Sequence, residues 1–227
     1  MRALGIFVLG VVLLIGGGFA LYKLAYPSYI YRFRLAIAVE DAGTIKTASS
    51  VIEGEIVTRP FAVIFSPTQS FARGDAVFLD LGNGRHVIAL LACDPNGTQD
   101  CIPGLVTNLF RISGVENLPM LETLRGSREL TGGYRPTFVT FRDLNDPGSA
   151  RVVRPDQFEK VFGPDVHFKR AWIALTDAPM TGGIEAKMPW WNREPFPWMK
   201  PLGNGAYVDT RPADSLQWNK RHFKREF

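Results

Sequence analysis

Reactive sulfur and imidazole are scarce in this chain. Its 227 residues include two cysteines and three histidines. Two thiols exclude a disulfide-dense scaffold and a Cys₄ zinc site. The histidines are scattered at His86, His167 and His222, too few and too far apart for a histidine-built metal centre. No glycine-rich phosphate loop, no Gly-x-Ser-x-Gly elbow and no Cys-x-x-Cys pair is present. No metal, no cofactor and no catalytic residue is therefore expected, and the sequence leans away from an enzyme. Repeats and long low-complexity linkers are missing too. What remains is ordinary globular composition, 46% hydrophobic and 21% charged, which excludes wholesale disorder.

The formal net charge of +4 suggests a nucleic-acid binder only until the charges are placed. Arg2 and Lys23 near the start contribute +2. Lys220, Arg221, Lys224 and Arg225 against Glu226 contribute +3 at the end. The body from Ser28 to Ser215 is left at −1. A nucleic-acid binder carries its basic stripe on the fold, so no nucleic-acid partner is expected.

Between Arg2 and Lys23 lie 20 uncharged residues, Ala3–Tyr22. As a helix they would span about 30 Å, the hydrocarbon thickness of a bilayer, with Tyr22, Lys23 and Tyr26 as an interfacial belt. Two readings fit: an uncleaved anchor, or a signal peptide cleaved after Gly18-Phe19-Ala20. The run is longer than a usual signal core, which favours an anchor. The expected organisation is residues 1–27 as the membrane segment, 28–215 as one α+β domain and 216–227 as a basic tail. The tail reads as a solvated end that frays or, alternatively, as a binder of anionic headgroups.

The body reads mostly as strands. Tyr29–Glu40 alternates, with its apolar side on the odd positions, and Thr44–Val57 follows after a turn at Glu40–Gly43. Gly82-Asn83-Gly84 separates Asp75–Leu81 from Arg85–Ala92 and predicts a hairpin. Arg135–Arg142 and His167–Thr176 are further strands. Short helices are predicted near 103–111 and 118–125. Another is predicted over 156–163, capped by Asp156 with Glu159 and ended by Gly163. The predicted fold is α+β: a mainly antiparallel sheet with a few short helices, plus one N-terminal transmembrane helix.

Three segments carry candidate chemistry. Cys93 and Cys101 flank a Pro-Asn-Gly turn that can bring them to disulfide separation in an oxidising compartment. Asp143 and Asp146 could act as an acid–base pair, but beside Pro147-Gly148 they more often form a solvated turn. Pro189–Pro201 packs four prolines and three tryptophans into 13 residues and predicts an extended strap. Trp190, Trp191 and Trp198 are the binding candidates. They either bury as a satellite core or present a surface to a sugar, a headgroup or a partner.

Several runs together carry a resemblance. They are Tyr31-Arg32-x-Arg34, Ser49–Glu53, Gly74–Val77 through Gly82-x-Gly84-Arg85, Pro136–Pro147, and Thr176–Glu185 leading into Pro189-Trp190. These resemble an uncharacterised family of bacterial proteins of unknown function with an N-terminal hydrophobic segment. The resemblance implies a bacterial source and an inner-membrane anchor, and it brings no activity and no site residue. The expectation is a single-pass inner-membrane protein with a periplasmic domain, held in the membrane through residues 3–22. It would act by contact with a protein partner in the envelope. The alternatives are a periplasmic glycan- or lipid-binding module and a hydrolase using Asp143 or Asp146.

Overall fold

The structure is a computed structural model. It describes residues 2–60, 66–93, 99–192, 199–201, 207–209 and 220–226, with side chains described from 11 onward except at 199–201 and 207–209. Helix α1 (Arg2–Ala25) comes first. From Val11 to Ala25 every position is exposed, although the side chains are largely aliphatic. Among the residues whose side chains are described, which for α1 means 11–25, no helix is long and apolar enough to cross a membrane.

Among the described residues the strands that follow are β1 (Ser28–Asp41), β2 (Thr44–Thr58), β3 (Thr68–Asp75), β4 (Val77–Gly82), β5 (Arg85–Ala89), β6 (Ser127–Glu129), β7 (Phe138–Phe141), β8 (Ala150–Val152), β9 (Val166–Leu175), β10 (Met199–Pro201), β11 (Tyr207–Asp209) and β12 (Lys224–Arg225). Three short helices lie among them, α2 (Leu105–Phe110), α3 (Met120–Thr123) and α4 (Phe158–Phe162). The class is α+β and the pairing antiparallel, as the sequence predicts. However, the strands form more than one sheet. A six-stranded sheet runs β12-β3-β2-β1-β9-β6, a four-stranded sheet runs β4-β5-β7-β8, and β10 pairs with β11.

The chain changes sheets at one residue, Ala76, between the end of β3 and the start of β4. Gly74 permits this. Its φ is +138°, and a Cβ there would sit 3.2 Å from the Ile52 Cα and the Val51 carbonyl. The predicted Asp75–Leu81 strand therefore starts two residues late. The inner faces of both large sheets share one apolar cluster. Phe33, Leu35, Ile37 and Val39 of β1 and Ile52 of β2 join Leu79, Val87, Ile88, Phe138 and Val139. The odd positions of β1 are the buried ones, as alternation predicts.

Turn chemistry sets both hairpins. Ala42-Gly43 closes β1–β2 with positive φ at both residues, the tight turn whose twist matches its strands. Gly82, Asn83 and Gly84 also have positive φ and close β4–β5. A polar cluster ties the two hairpins together. Asp41 accepts from Lys46 Nζ at 2.8 Å and Arg85 Nη2 at 3.0 Å. Lys46 also donates to the Leu81 carbonyl, and Arg85 Nη1 to the Phe162 carbonyl at the end of α4. The hydrogen bond from Lys46 holds the Asp41 carboxyl below its usual range, with Arg85 adding to it.

Helix α4 is shorter than predicted and is capped differently. A 3₁₀ turn, Pro155–Gln157, leads into it, and the Gln157 side chain accepts from Arg154 N–H at 3.1 Å. Asp156 and Glu159 do not form the predicted box, while Gly163 does end the helix.

The end of the chain corrects the sequence reading of a loose tail, at least over residues 220–226. Phe223 is fully buried against Phe141 and Trp190, with ring centroids at 6.2 and 5.9 Å. Ala76 N–H donates to the Phe223 carbonyl and Leu91 N–H to the His222 carbonyl. β12 then pairs with β3 through Lys224↔Asp75 and Arg225↔Gly74. Asp75 also accepts from Ile184 N–H at 2.8 Å, pinning the 3₁₀ turn that precedes Trp190. Burial pushes the Asp75 carboxyl up, and this N–H only partly offsets it.

Candidate functional site

Antiparallel register determines which side chains share the outward face of the six-stranded sheet. Glu53 on β2 stands opposite Arg32 on β1 and Arg73 on β3. Next along β1, Arg34 lies between Val51 and Ala174. Ala36 then lies between Ser49 and Trp172, and Ala38 between Thr47 and Arg170. Glu129 of β6 sits across from Trp172.

The first row is an ion-pair ladder. Arg32 Nε donates to Glu53 Oε2 at 2.7 Å, and Arg73 Nε to Oε1 at 2.8 Å, with Arg73 Nη2 also on Oε1. Burial pushes the Glu53 carboxyl up, and the two guanidiniums together more than offset this, so it ends below its usual range. A group with a depressed folded-state pKa stabilises the fold above its ordinary value and loses that contribution as pH falls through the range below. Glu53→Ala is expected to cost about 2 kcal/mol. That is less than the 3–5 of a fully buried pair, because Arg32 and Arg73 each keep 39% of their side-chain surface in water. A double-mutant cycle with Arg73→Ala in urea checks it, and purely additive costs would contradict the ladder.

Beyond the ladder the face is basic and aromatic. The Arg170 guanidinium lies 4.4 Å over the Trp172 ring, and Arg34 Nη1 reaches Ser49 Oγ at 3.3 Å. Lys169 pairs with Glu40 at 2.7 Å. Among the described residues, Arg34 and Arg170 have no carboxylate partner. Ala36 and Ala38 are only 2 and 4% exposed although they are on the outward set. Short residues between long cross-strand neighbours form a low floor there. Thr47, Ser49, Arg34, Arg170 and Glu129 are exposed around it. Guanidiniums and an indole in this arrangement can meet an acidic surface. Trp172 was not singled out from sequence. Its signal was the alternation Arg170, Trp172, Ala174 against buried Ala171 and Ile173 within a strand that was itself predicted.

The residues proposed from sequence lie elsewhere. Trp190 is fully buried, packing on Phe141 at 5.7 Å and Phe223, so its indole belongs to the core and offers no stacking platform. Trp191 is half-buried beside it at 5.8 Å, with Lys220 Nζ 5.5 Å from its ring. Trp198 lies outside the described residues. Met199–Pro201, predicted as extended strap without pairing, is a strand in the β10–β11 ladder. Cys93 and Cys101 are at disulfide distance, Cα to Cα 5.7 Å.

Asp143 and Asp146 cap a turn. Asp143 accepts from Asn145 N–H at 2.9 Å and from Asn145 Nδ2 at 3.1 Å, and Asp146 accepts from Gly148 N–H at 2.8 Å. The Asn145 N–H holds the Asp143 carboxyl low, the opposite of what a general acid needs. Among the described residues no cluster of three His, Cys, Asp or Glu is placed to hold a metal ion.

His86 serves packing. Its ring stacks between Phe78 and Phe141, with centroids at 5.4 and 6.1 Å. Phe141 N–H donates to Nε2 at 3.2 Å, so the proton sits on Nδ1, which faces the Gly84 carbonyl at 3.3 Å. Burial lowers the His86 pKa, against smaller upward pulls from Gly84 and Asp80. The folded state thus binds fewer protons than the unfolded chain. This contribution is full above about pH 6.5 and drains away as pH falls below it. Between pH 7.5 and 5.5 the urea midpoint should fall, and by less in His86→Gln. Equal falls in both proteins would show that His86 is not responsible.

No protein-family model matches the chain, and comparison with curated proteins and with solved structures finds no match either.

Proposed function

We propose that this chain is a membrane-anchored envelope protein that works by contact with another protein, presenting the outward face of its six-stranded sheet on the exported side of an inner membrane. The observation that carries this reading is α1. The uncharged run Ala3–Tyr22 lies within one helix, Arg2–Ala25, about 36 Å long at 1.5 Å per residue. From Val11 to Leu21 its side chains carry no charge on any side, and all positions to Ala25 are exposed. An apolar helix whose described side chains are all exposed is suited to a lipid environment. Tyr26-Pro27 then joins it directly to β1, the strand that carries Arg32 and Arg34.

The near-neutral body and a cysteine pair at disulfide distance fit an oxidising compartment. The contact face follows from charge. Arg34 and Arg170 flank Trp172, an arrangement that favours an acidic partner surface with an apolar or aromatic centre.

The test is a photo-crosslinking amino acid at Ser49, on the contact face, compared with one at Asp156 beside α4, in cells producing the full chain. The expected result is a discrete protein adduct from Ser49, none from Asp156, and loss of the Ser49 adduct in Arg34→Glu/Arg170→Glu. An adduct that survives the charge reversals, or equal labelling from both positions, would overturn the assignment of this face.

A further inference from the structure

We propose that a groove between β7–β8 and the Gly132–Tyr134 turn is a binding site for a small organic carboxylate with an apolar tail. The groove holds about 310 Å³, the scale of a small-molecule site. Its lining is dominated by apolar surface from Pro136, Phe138, Val152 and Pro155, and it carries two arginines, Arg135 and Arg154. Among the described residues neither arginine pairs with a carboxylate.

Arg135 is the more telling of the two. Its guanidinium reaches the Phe168 ring at 5.6 Å, and its Nε is buried without an acceptor. Positive charge with no carboxylate beside it among the described residues favours an anionic ligand, and the acceptor that matches the planar guanidinium fork is a carboxylate. Arg154 is exposed at the rim, where it can meet the second carboxylate oxygen.

The larger groove beside β12, about 670 Å³, is different. Its Arg225 is already bound to Asp100 and its Lys224 to Glu185 and Glu226, so those charges are spent within the fold. The Arg135 groove therefore offers positive charge with no internal counterpart, next to an apolar floor. That pairing selects an amphiphilic acid. It disfavours both a neutral sugar, which would leave the charge unmet, and inorganic phosphate, which would leave the floor unused.

The test uses 4-phenylbutyrate and its uncharged counterpart 4-phenylbutanol. Each is titrated into the full chain in a non-ionic detergent and followed by saturation-transfer NMR. The acid is expected to bind at least about tenfold more tightly than the alcohol, the margin of one charge-assisted contact. Arg135→Gln should remove that margin. Arg154→Gln, which changes an exposed side chain, should reduce it with folding unaffected. Equal binding of acid and alcohol, no binding of the acid at 10 mM probe (about the weakest useful affinity), or an acid preference unchanged in both variants would overturn the proposal. None of these outcomes bears on the Arg34–Trp172–Arg170 face, so the two assignments fail independently.

Discussion

Replacing Phe223 with alanine should cost the fold about 3–5 kcal/mol, the range for truncating a fully buried aromatic side chain. The residue lies four positions before Phe227 in a run dense with Lys and Arg, a sequence context that suggests a dispensable segment. Its surroundings argue otherwise. The ring fills a site bounded by Phe141 of the four-stranded sheet and Trp190 of the preceding segment. Its carbonyl accepts the N–H of Ala76, the residue at which the chain passes between sheets. Truncation leaves a cavity between Phe141 and Trp190, whose walls belong to two separate elements that cannot collapse together cheaply. Urea denaturation of wild type and Phe223→Ala, followed by tryptophan fluorescence, measures the loss. A cost below about 1 kcal/mol would mean that residues 220–226 do not dock as described.

Removing the Cys93–Cys101 link by double alanine substitution should cost about 2–3 kcal/mol, the loop-entropy value for cysteines eight positions apart. The effect should reach further than the loop. Asp100, next to Cys101, accepts a hydrogen bond from Arg225 Nη1 of β12 at 2.8 Å and makes an ion-pair contact with its Nη2 at 2.7 Å, and Nη2 also donates to the Leu91 carbonyl. A disulfide between Cys93 and Cys101 would position the carboxylate that clamps the last strand. Arg225→Ala should cost less in the cysteine-free background than in wild type, with a coupling of about 1 kcal/mol. Strict additivity would separate the cysteine pair from the C-terminal strand. Reduction by a dithiol should reproduce the double substitution.

The sequence made some elements readable and hid others for identifiable reasons. β1, β2 and the two hairpins were legible because alternation and positive-φ turns are local signals. Tyr31 to Val39 point inward in the predicted order, and Gly82-Asn83-Gly84 turns where expected. The division into two sheets was not legible. It depends on Gly74 being pressed against Ile52, a contact between residues distant in sequence. β12 escaped because a two-residue strand has no period and its side chains are charged.

The candidate site shows the same division between local and non-local signals. Composition drew attention to the tryptophans of Pro189–Pro201, yet Trp190 is the largest fully buried side chain among the described residues. Trp172, in an unremarkable alternating run, comes to lie between Arg34 and Arg170 only when β9 pairs with β1. Aromatic content marks residues that bury large area. Cross-strand register decides which of them remain at the surface.

The account rests on the body being displayed across a membrane from the cytoplasm, tethered by α1. Protease treatment of intact spheroplasts producing the full chain with a C-terminal epitope tests this most directly. The account predicts that external protease removes the epitope while the membrane is intact, and that deletion of residues 2–25 leaves the protein inaccessible inside the cell. An epitope protected until the membrane is lysed would contradict it.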